Sequence, residues 1–88
     1  MKLIWSQRSW DEYLYWQETD RAVLTKINEL IRDTSRTPFA GLGKPEPLRL
    51  NMKGWWSRRI TGEHRFVYRV VGTGDSQQLE IAQCRHHY

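Results

Sequence analysis

Trp55-Trp56-Ser57-Arg58-Arg59-Ile60, then Thr61-Gly62-Glu63-His64, then Arg65-Phe66-Val67-Tyr68-Arg69-Val70-Val71: two runs rich in aromatic and β-branched residues flank a short polar turn. Residues of this kind suit a pleated, half-buried surface, so the stretch predicts a β-hairpin. Working outward, Leu48 to Met52 reads as a strand before it and Gln78 to Arg85 as a strand after it. Turns at Lys53-Gly54 and Gly72-Thr73-Gly74-Asp75 separate them. Four segments joined by short turns describe an antiparallel meander.

The first half has a different period. Val23, Ile27, Leu30 and Ile31 recur at helical spacing, and Arg21, Lys26, Glu29, Arg32 and Asp33 cover the other side. Thr19 or Asp20 supplies the cap of that helix. An earlier helix is predicted from Ser9-Trp10-Asp11-Glu12, read as a capping box, with Trp10, Tyr13, Leu14 and Gln17 on one face. Lys2 to Trp5 precedes it as a short strand. Three prolines and two glycines between Thr37 and Pro47 end the helices in a stiff surface loop. The expected fold is α+β: an N-terminal strand, two antiparallel helices, then an antiparallel meander forming a small sheet, all in one domain of residues 1–88.

Charge is distributed unevenly. Residues 1–43 hold six Lys/Arg and six Asp/Glu, whereas residues 44–88 hold eight and four, so the whole net charge of +4 lies in the second half. Basic charge confined to one part of a small domain is the electrostatic footprint of a polyanion ligand. Arginine outnumbers lysine there, which favours forked contacts with phosphate. The lone Cys84 has no disulfide partner within the chain, which argues for a reducing compartment and hence the cytoplasm. No apolar run reaches the roughly 18 residues of a membrane span, and Met1 to Trp5 is too short for a signal-peptide core.

RNA cleavage through its own 2'-hydroxyl needs a base for that hydroxyl, an acid for the leaving 5'-oxygen, and positive charge for the phosphorane between them. Glu46 is the best base because Pro45 and Pro47 fix the backbone on both sides of it. His87 is the expected acid, with His86 competing, since imidazole holds or gives a proton near neutrality. Tyr88 could stack on a base or bond phosphate. Lys44, Arg49, Lys53, Arg58 and Arg59 are the candidate RNA and phosphate contacts, with Arg65 beside them. Neighbouring strand residues point to opposite faces, so either Arg58 or Arg59 shares a face with Arg65, depending on hairpin register. The spacing of Cys84, His86 and His87 fits no usual zinc signature, and neither metal nor cofactor is expected.

Several segments carry a resemblance that runs end to end: Trp16-Gln17-Glu18-Thr19-Asp20, Lys26 to Ile31, Gly43-Lys44-Pro45-Glu46-Pro47-Leu48, Trp56 to Ile60, Glu63-His64-Arg65 and the final His87-Tyr88. In these the chain resembles the YoeB-type toxins of the RelE superfamily, ribosome-dependent mRNA endoribonucleases of bacterial type II toxin–antitoxin pairs. The resemblance implies helices packed on one side of a small sheet and a substrate cleft on the other. It assigns Glu46 as general base, Arg65 to the transition state, His87 as general acid and Tyr88 to substrate orientation, with Arg59 and Lys44 as supporting contacts. It also implies cleavage of mRNA in the ribosomal A site and inhibition by a cognate antitoxin of the YefM/Phd-like kind with an acidic C-terminal segment. Operator DNA would be bound only through that complex, and the toxin is frequently a homodimer. Two features depart from the family pattern: His86 stands where a tyrosine is common, and the hairpin at Gly72 to Gln78 is longer. The alternative is a catalytically inactive RNA- or ribosome-binding module using the same basic face. A DNA-binding regulator is disfavoured because the basic residues lie on strands and loops.

Overall fold

The computed structural model describes residues 1–87. Strand β1 (Lys2–Trp5) is followed by helices α1 (Gln7–Thr19) and α2 (Arg21–Arg36), and then by strands β2 (Glu46–Pro47), β3 (Trp56–Arg59), β4 (Arg65–Val71) and β5 (Gln78–Gln83). Single 3-10 turns occupy Leu50–Met52 and Gly74–Ser76. The five strands form one sheet in the order β1-β5-β4-β3-β2. The predicted meander is antiparallel from β2 to β5, and β1 adds to its far edge parallel to β5.

Asp20 alone joins the helices. Its backbone N–H closes α1 on the Trp16 carbonyl, and its carboxylate accepts from the N–H groups of Ala22 and Val23 to open α2. One short acidic side chain thus satisfies orphan donors at the start of a helix, as capping requires. The cap of α1 is Ser6, not Ser9: the Ser6 hydroxyl accepts from Ser9 N–H at 3.0 Å. The buried stripe of α1 is accordingly one residue from the predicted one. Ser9 and Trp16 are buried and Glu12 and Tyr13 half-buried, while Trp10, Leu14 and Gln17 are exposed. Apolar spacing misplaced this face because two of its members are polar. Ser9 donates its hydroxyl to the Ile81 carbonyl at 2.7 Å, and Glu12 accepts from Cys84 N–H at 2.9 Å. Such bonds make a polar side chain acceptable in a packed interface.

Val23, Leu24, Ile27 and Leu30 of α2, with Trp16, bury against Phe66, Tyr68, Leu79, Ile81 and Cys84 on one face of the sheet. Cys84 belongs there because of a bulge. Val67 pairs with Gln83 but Tyr68 with Ile81, leaving Ala82 as the extra residue on β5. The extra residue shifts the inside–outside alternation by one, so Leu79 and Ile81 and then Cys84 face the helices. Gln83 is thereby turned to the opposite face beside Val67. Burial among these residues, with the Glu12 carboxylate nearby, pushes the Cys84 thiol up to about 12. Iodoacetamide at pH 8 is therefore expected to leave Cys84 unmodified in the folded protein and to label it once urea unfolds the chain; rapid labelling of the native state would contradict this burial.

The expected strand over Leu48 to Met52 is corrected: the strand here is the two-residue β2 just before it, and Leu50–Met52 form a 3-10 turn. Leu50 adopts a positive φ of 58°, and the N–H groups of Met52, Lys53 and Trp55 bond back to Arg49, Leu50 and Met52. The chain needs these residues to reverse direction before β3, so they cannot extend a ladder. The strands on either side of β4 are also shorter than predicted, β3 starting at Trp56 and β5 ending at Gln83.

Arg58 departs furthest from expectation. It pairs with Phe66, and its side chain is wholly buried on the helix side of the sheet. Nε donates to the Tyr68 hydroxyl, Nη1 to the Asp33 carboxylate and the Leu42 carbonyl, and Nη2 to the carbonyls of Thr37 and Ala40. All five donors of the guanidinium are used within the protein. Arg58 is therefore not a phosphate contact; it ties the loop after α2 to the sheet. The loop lies so close that a Cβ on Gly43 would sit 2.9 Å from the Arg59 carbonyl oxygen and 3.0 Å from Arg58 Cβ, and Gly43 has a φ of 76°. Only glycine meets both demands without strain.

The Leu42 N–H, and then the Arg58 guanidinium, hold the Asp33 carboxyl below the usual carboxylate range. A group depressed in the folded state stabilises the fold above its unfolded pKa of about 3.9 and loses that contribution as pH falls through the folded value. Urea midpoints taken between pH 6 and pH 2 should therefore drop in acid, and Asp33→Asn should flatten that drop; an unchanged acid slope in the variant would place the sensitivity elsewhere.

Candidate functional site

The face turned away from the helices is built by register. Glu46 pairs with Ser57, Ser57 with Val67, and Val67 with Gln83, which makes one cross-strand row. The next row sets Arg59 opposite Arg65. Paired residues share a face and residues two apart along a strand keep it, so Glu46, Arg59 and Arg65 are neighbours on one surface. The choice between Arg58 and Arg59 is thereby resolved in favour of Arg59. The hairpin closes with Ile60 N–H on the His64 carbonyl at 3.0 Å, which puts Arg59 directly across from Arg65.

Like charges directly opposed on a sheet are destabilising, and an anion between them relieves that cost. Arg59 is exposed. Arg65 is half-buried, and its Nη1 is anchored to the carbonyls of Thr61, Gly62 and His64 at 2.8, 3.2 and 3.1 Å. Its Nε and Nη2 have no partner among the described residues, so a fixed guanidinium retains donors for a phosphate. Not every arginine of the basic half contributes. Arg69 bonds Glu80 at 2.6 Å and lies over the Trp55 ring, while Arg85 lies 3.6 Å from the centre of the Tyr15 ring. The open face is thus less crowded with cations than the sequence count implies.

Glu46 is exposed on the short edge strand β2, where its flanking prolines cost no ladder bonds. The following residues line a groove of about 650 Å³ that runs from Glu46 to Met52 and includes Arg49. Lys44, Arg49 and Lys53 are exposed on the loops around it. Lys44 has a φ of 52°, and the preceding Gly43 carbonyl accepts from Arg59 N–H at 2.7 Å, which brings this loop beside Arg59. Trp56, the other member of the tryptophan pair, packs at the helix side with its ring 4.7 Å from Phe39.

The C-terminal segment reaches the same surface. Trp16 Nε1 donates to the Cys84 carbonyl at 2.9 Å, and Arg65 N–H donates to the His86 carbonyl at 3.0 Å. The Gln83 side-chain amide lies 3.1 to 3.2 Å from the carbonyls of Arg85, His86 and His87. His87 is exposed beyond this clamp, next in sequence to the residue bonded to Arg65. His86 instead turns its ring toward His64, with centres 5.9 Å apart. Tyr88 lies outside the described residues. Nothing in the sequence distinguishes Gln83, since its place depends on the bulge at Ala82, which leaves no signature in residue types.

The chain is thus an α+β domain with its helices on one face of a small sheet and opposed arginines beside a carboxylate on the other. Among known proteins this chain matches toxins: residues 5–88 match the family model described as YoeB-like toxin of bacterial type II toxin-antitoxin system. The chain is 68% identical over 88 residues to toxin YoeB of Escherichia coli strain K12, with all of both chains covered. Among solved structures, a YoeB/ParE toxin from Agrobacterium tumefaciens is 65% identical, with a TM-score of 0.99 and full coverage of both chains. A relative from Staphylococcus aureus, 39% identical, with 100% of this chain and 98% of that one covered, has been solved both as a dimer (TM-score 0.86) and in a heterotetrameric YoeB-YefM complex (TM-score 0.87). The chain belongs to the YoeB-like toxins of bacterial type II toxin–antitoxin systems.

Proposed function

We propose that this toxin is an endoribonuclease that cuts mRNA in the ribosomal A site without a metal ion, through the 2'-hydroxyl of the substrate. The observation that carries the reading is the open face itself: a carboxylate, two opposed arginines and the C-terminal histidine segment are gathered there by strand register and by the Arg65–His86 backbone bond. Glu46 takes the proton from the 2'-hydroxyl, and the resulting oxygen attacks the adjacent phosphorus. Arg65, with its Nη1 already anchored, and Arg59 receive the charge of the pentavalent phosphorane. His87 gives its proton to the departing 5'-oxygen. The products are a 2',3'-cyclic phosphate and a 5'-hydroxyl, and Glu46 and His87 have exchanged protonation states. Tyr88 orients the substrate beside the acid, and Lys44, Arg49 and Lys53 contact the phosphates of mRNA or ribosomal RNA.

The partner is an antitoxin of the YefM/Phd-like kind, a reading supported by the YoeB-YefM complex of the S. aureus relative, and the dimer of that relative supports self-association. An acidic segment of the antitoxin would cover the basic face. Operator binding belongs to the pair and not to the toxin alone. The site of action is the cytoplasm, where translating ribosomes are found.

Primer extension on an mRNA translated by purified components tests the reading. Discrete cuts within A-site codons, lost in Glu46→Ala, are expected. Ribosomes stalled on uncut mRNA, with or without the substitution, would contradict it.

A further inference from the structure

His86 is the third non-glycine residue of this chain with a positive φ, at 67°, and it immediately precedes the proposed acid. A side chain held in the left-handed region persists only where its surroundings over-determine it. Here both polar groups of its backbone are gripped by consecutive residues of the β3–β4 hairpin. His86 N–H donates to Nδ1 of His64 at 2.8 Å, and the His86 carbonyl accepts from Arg65 N–H at 3.0 Å. Because Nδ1 accepts, the neutral His64 ring carries its proton on Nε2. The ring is steadied by Trp16, which meets it edge-on with centres 4.8 Å apart and an interplanar angle of 74°. Trp16 in turn donates to the Cys84 carbonyl at 2.9 Å, so one aromatic side chain supports both the tail and the residue that holds it.

From this arrangement we infer that His64 is a positioning residue for the reaction: by accepting the His86 N–H it fixes the backbone from which His87 extends and sets the acid at a constant distance from Arg65. The inference rests on the nuclease reading above. The neighbouring residues 64 and 65 then serve two linked tasks, one gripping the acid's backbone and the other meeting the phosphate. Displacement of a catalytic group by about 1 Å can cost on the order of 10²-fold in rate, so a single backbone bond at this point has leverage on turnover without touching substrate.

Two substitutions separate the acceptor from the ring. His64→Phe keeps an aromatic against Trp16 but has no acceptor, whereas His64→Asn places an amide oxygen near the position of Nδ1. Amide exchange at His86, followed by NMR, reads the bond directly, and steady-state cleavage reads its consequence. In His64→Phe the His86 amide should lose protection, and kcat should fall about 10- to 100-fold with KM changed by less than about threefold. His64→Asn should restore most of both. Unaltered His86 exchange in His64→Phe would overturn the inference whatever the activity, as would an equal loss of kcat in the two variants, which would assign the effect to ring packing. His87→Ala serves as the separate control. If it cleaves as fast as the unsubstituted protein, the assignment of the acid has failed, whereas a slow His87→Ala beside a fully active His64→Phe removes only the role of His64.

Discussion

Arg58→Ala is expected to cost the domain its fold, whereas Arg59→Ala, one residue on, is expected to leave it folded and to impair cleavage. Removing one partner of a buried ion pair costs about 3 to 5 kcal/mol because the other groups are left without compensation. At Arg58 those groups are the Asp33 carboxylate, the Tyr68 hydroxyl and three loop carbonyls. A domain of this length has roughly 4 to 13 kcal/mol of total stability. The loss is therefore comparable with everything available, and the melting temperature should fall by at least about 12 °C where a transition survives at all. Arg58→Lys keeps the charge but not the fork, so it should restore only part of the loss. Arg59 is exposed, and its truncation should stay within about 0.5 kcal/mol of the parent in thermal melting. Equal melting of the two alanine variants would mean that the buried network does not hold the loop after α2.

Glu46→Ala and His87→Ala are expected to reduce cleavage by about 10²- to 10⁴-fold each, the range for removing a positioned base or acid. Both side chains are exposed, so thermal melting should barely move. The double variant should lose less than the product of the two single effects, because groups that act in one proton relay are not additive. A drop of only two- or threefold in either single variant, with unchanged melting, would indicate that the residue contacts RNA without carrying a proton.

How much of this could be read in the sequence differs residue by residue. Arg65 to Val71 matches β4 to the residue, since its apolar and aromatic composition has no competing helical reading, and the helical spacing of Val23, Ile27 and Leu30 located the core face of α2. Asp20 was one of two offered caps and is the one used. What stayed hidden was polar burial. Ser9 and Glu12 face inward because they bond strand backbone, and Arg58 is interior because five acceptors meet it. None of these partners is near in sequence, so no local pattern announces them. The candidate site was legible only as residue types, and the structure places two of them, Glu46 and Arg65, on one surface. Its geometry was not, because the sharing of a face by Arg59 and Arg65 depends on hairpin register, and the location of Gln83 depends on one extra residue at Ala82.

The chemistry of the cut ends identifies the nucleophile. RNA cleaved by this toxin during translation should be recovered with 2',3'-cyclic phosphate and 5'-hydroxyl termini, and a single 2'-deoxy substitution at the scissile nucleotide should abolish the cut. Termini bearing a 3'-hydroxyl and a 5'-phosphate, or undiminished cleavage next to the 2'-deoxy sugar, would show that the 2'-oxygen is not the nucleophile and would contradict the roles given to Glu46 and His87.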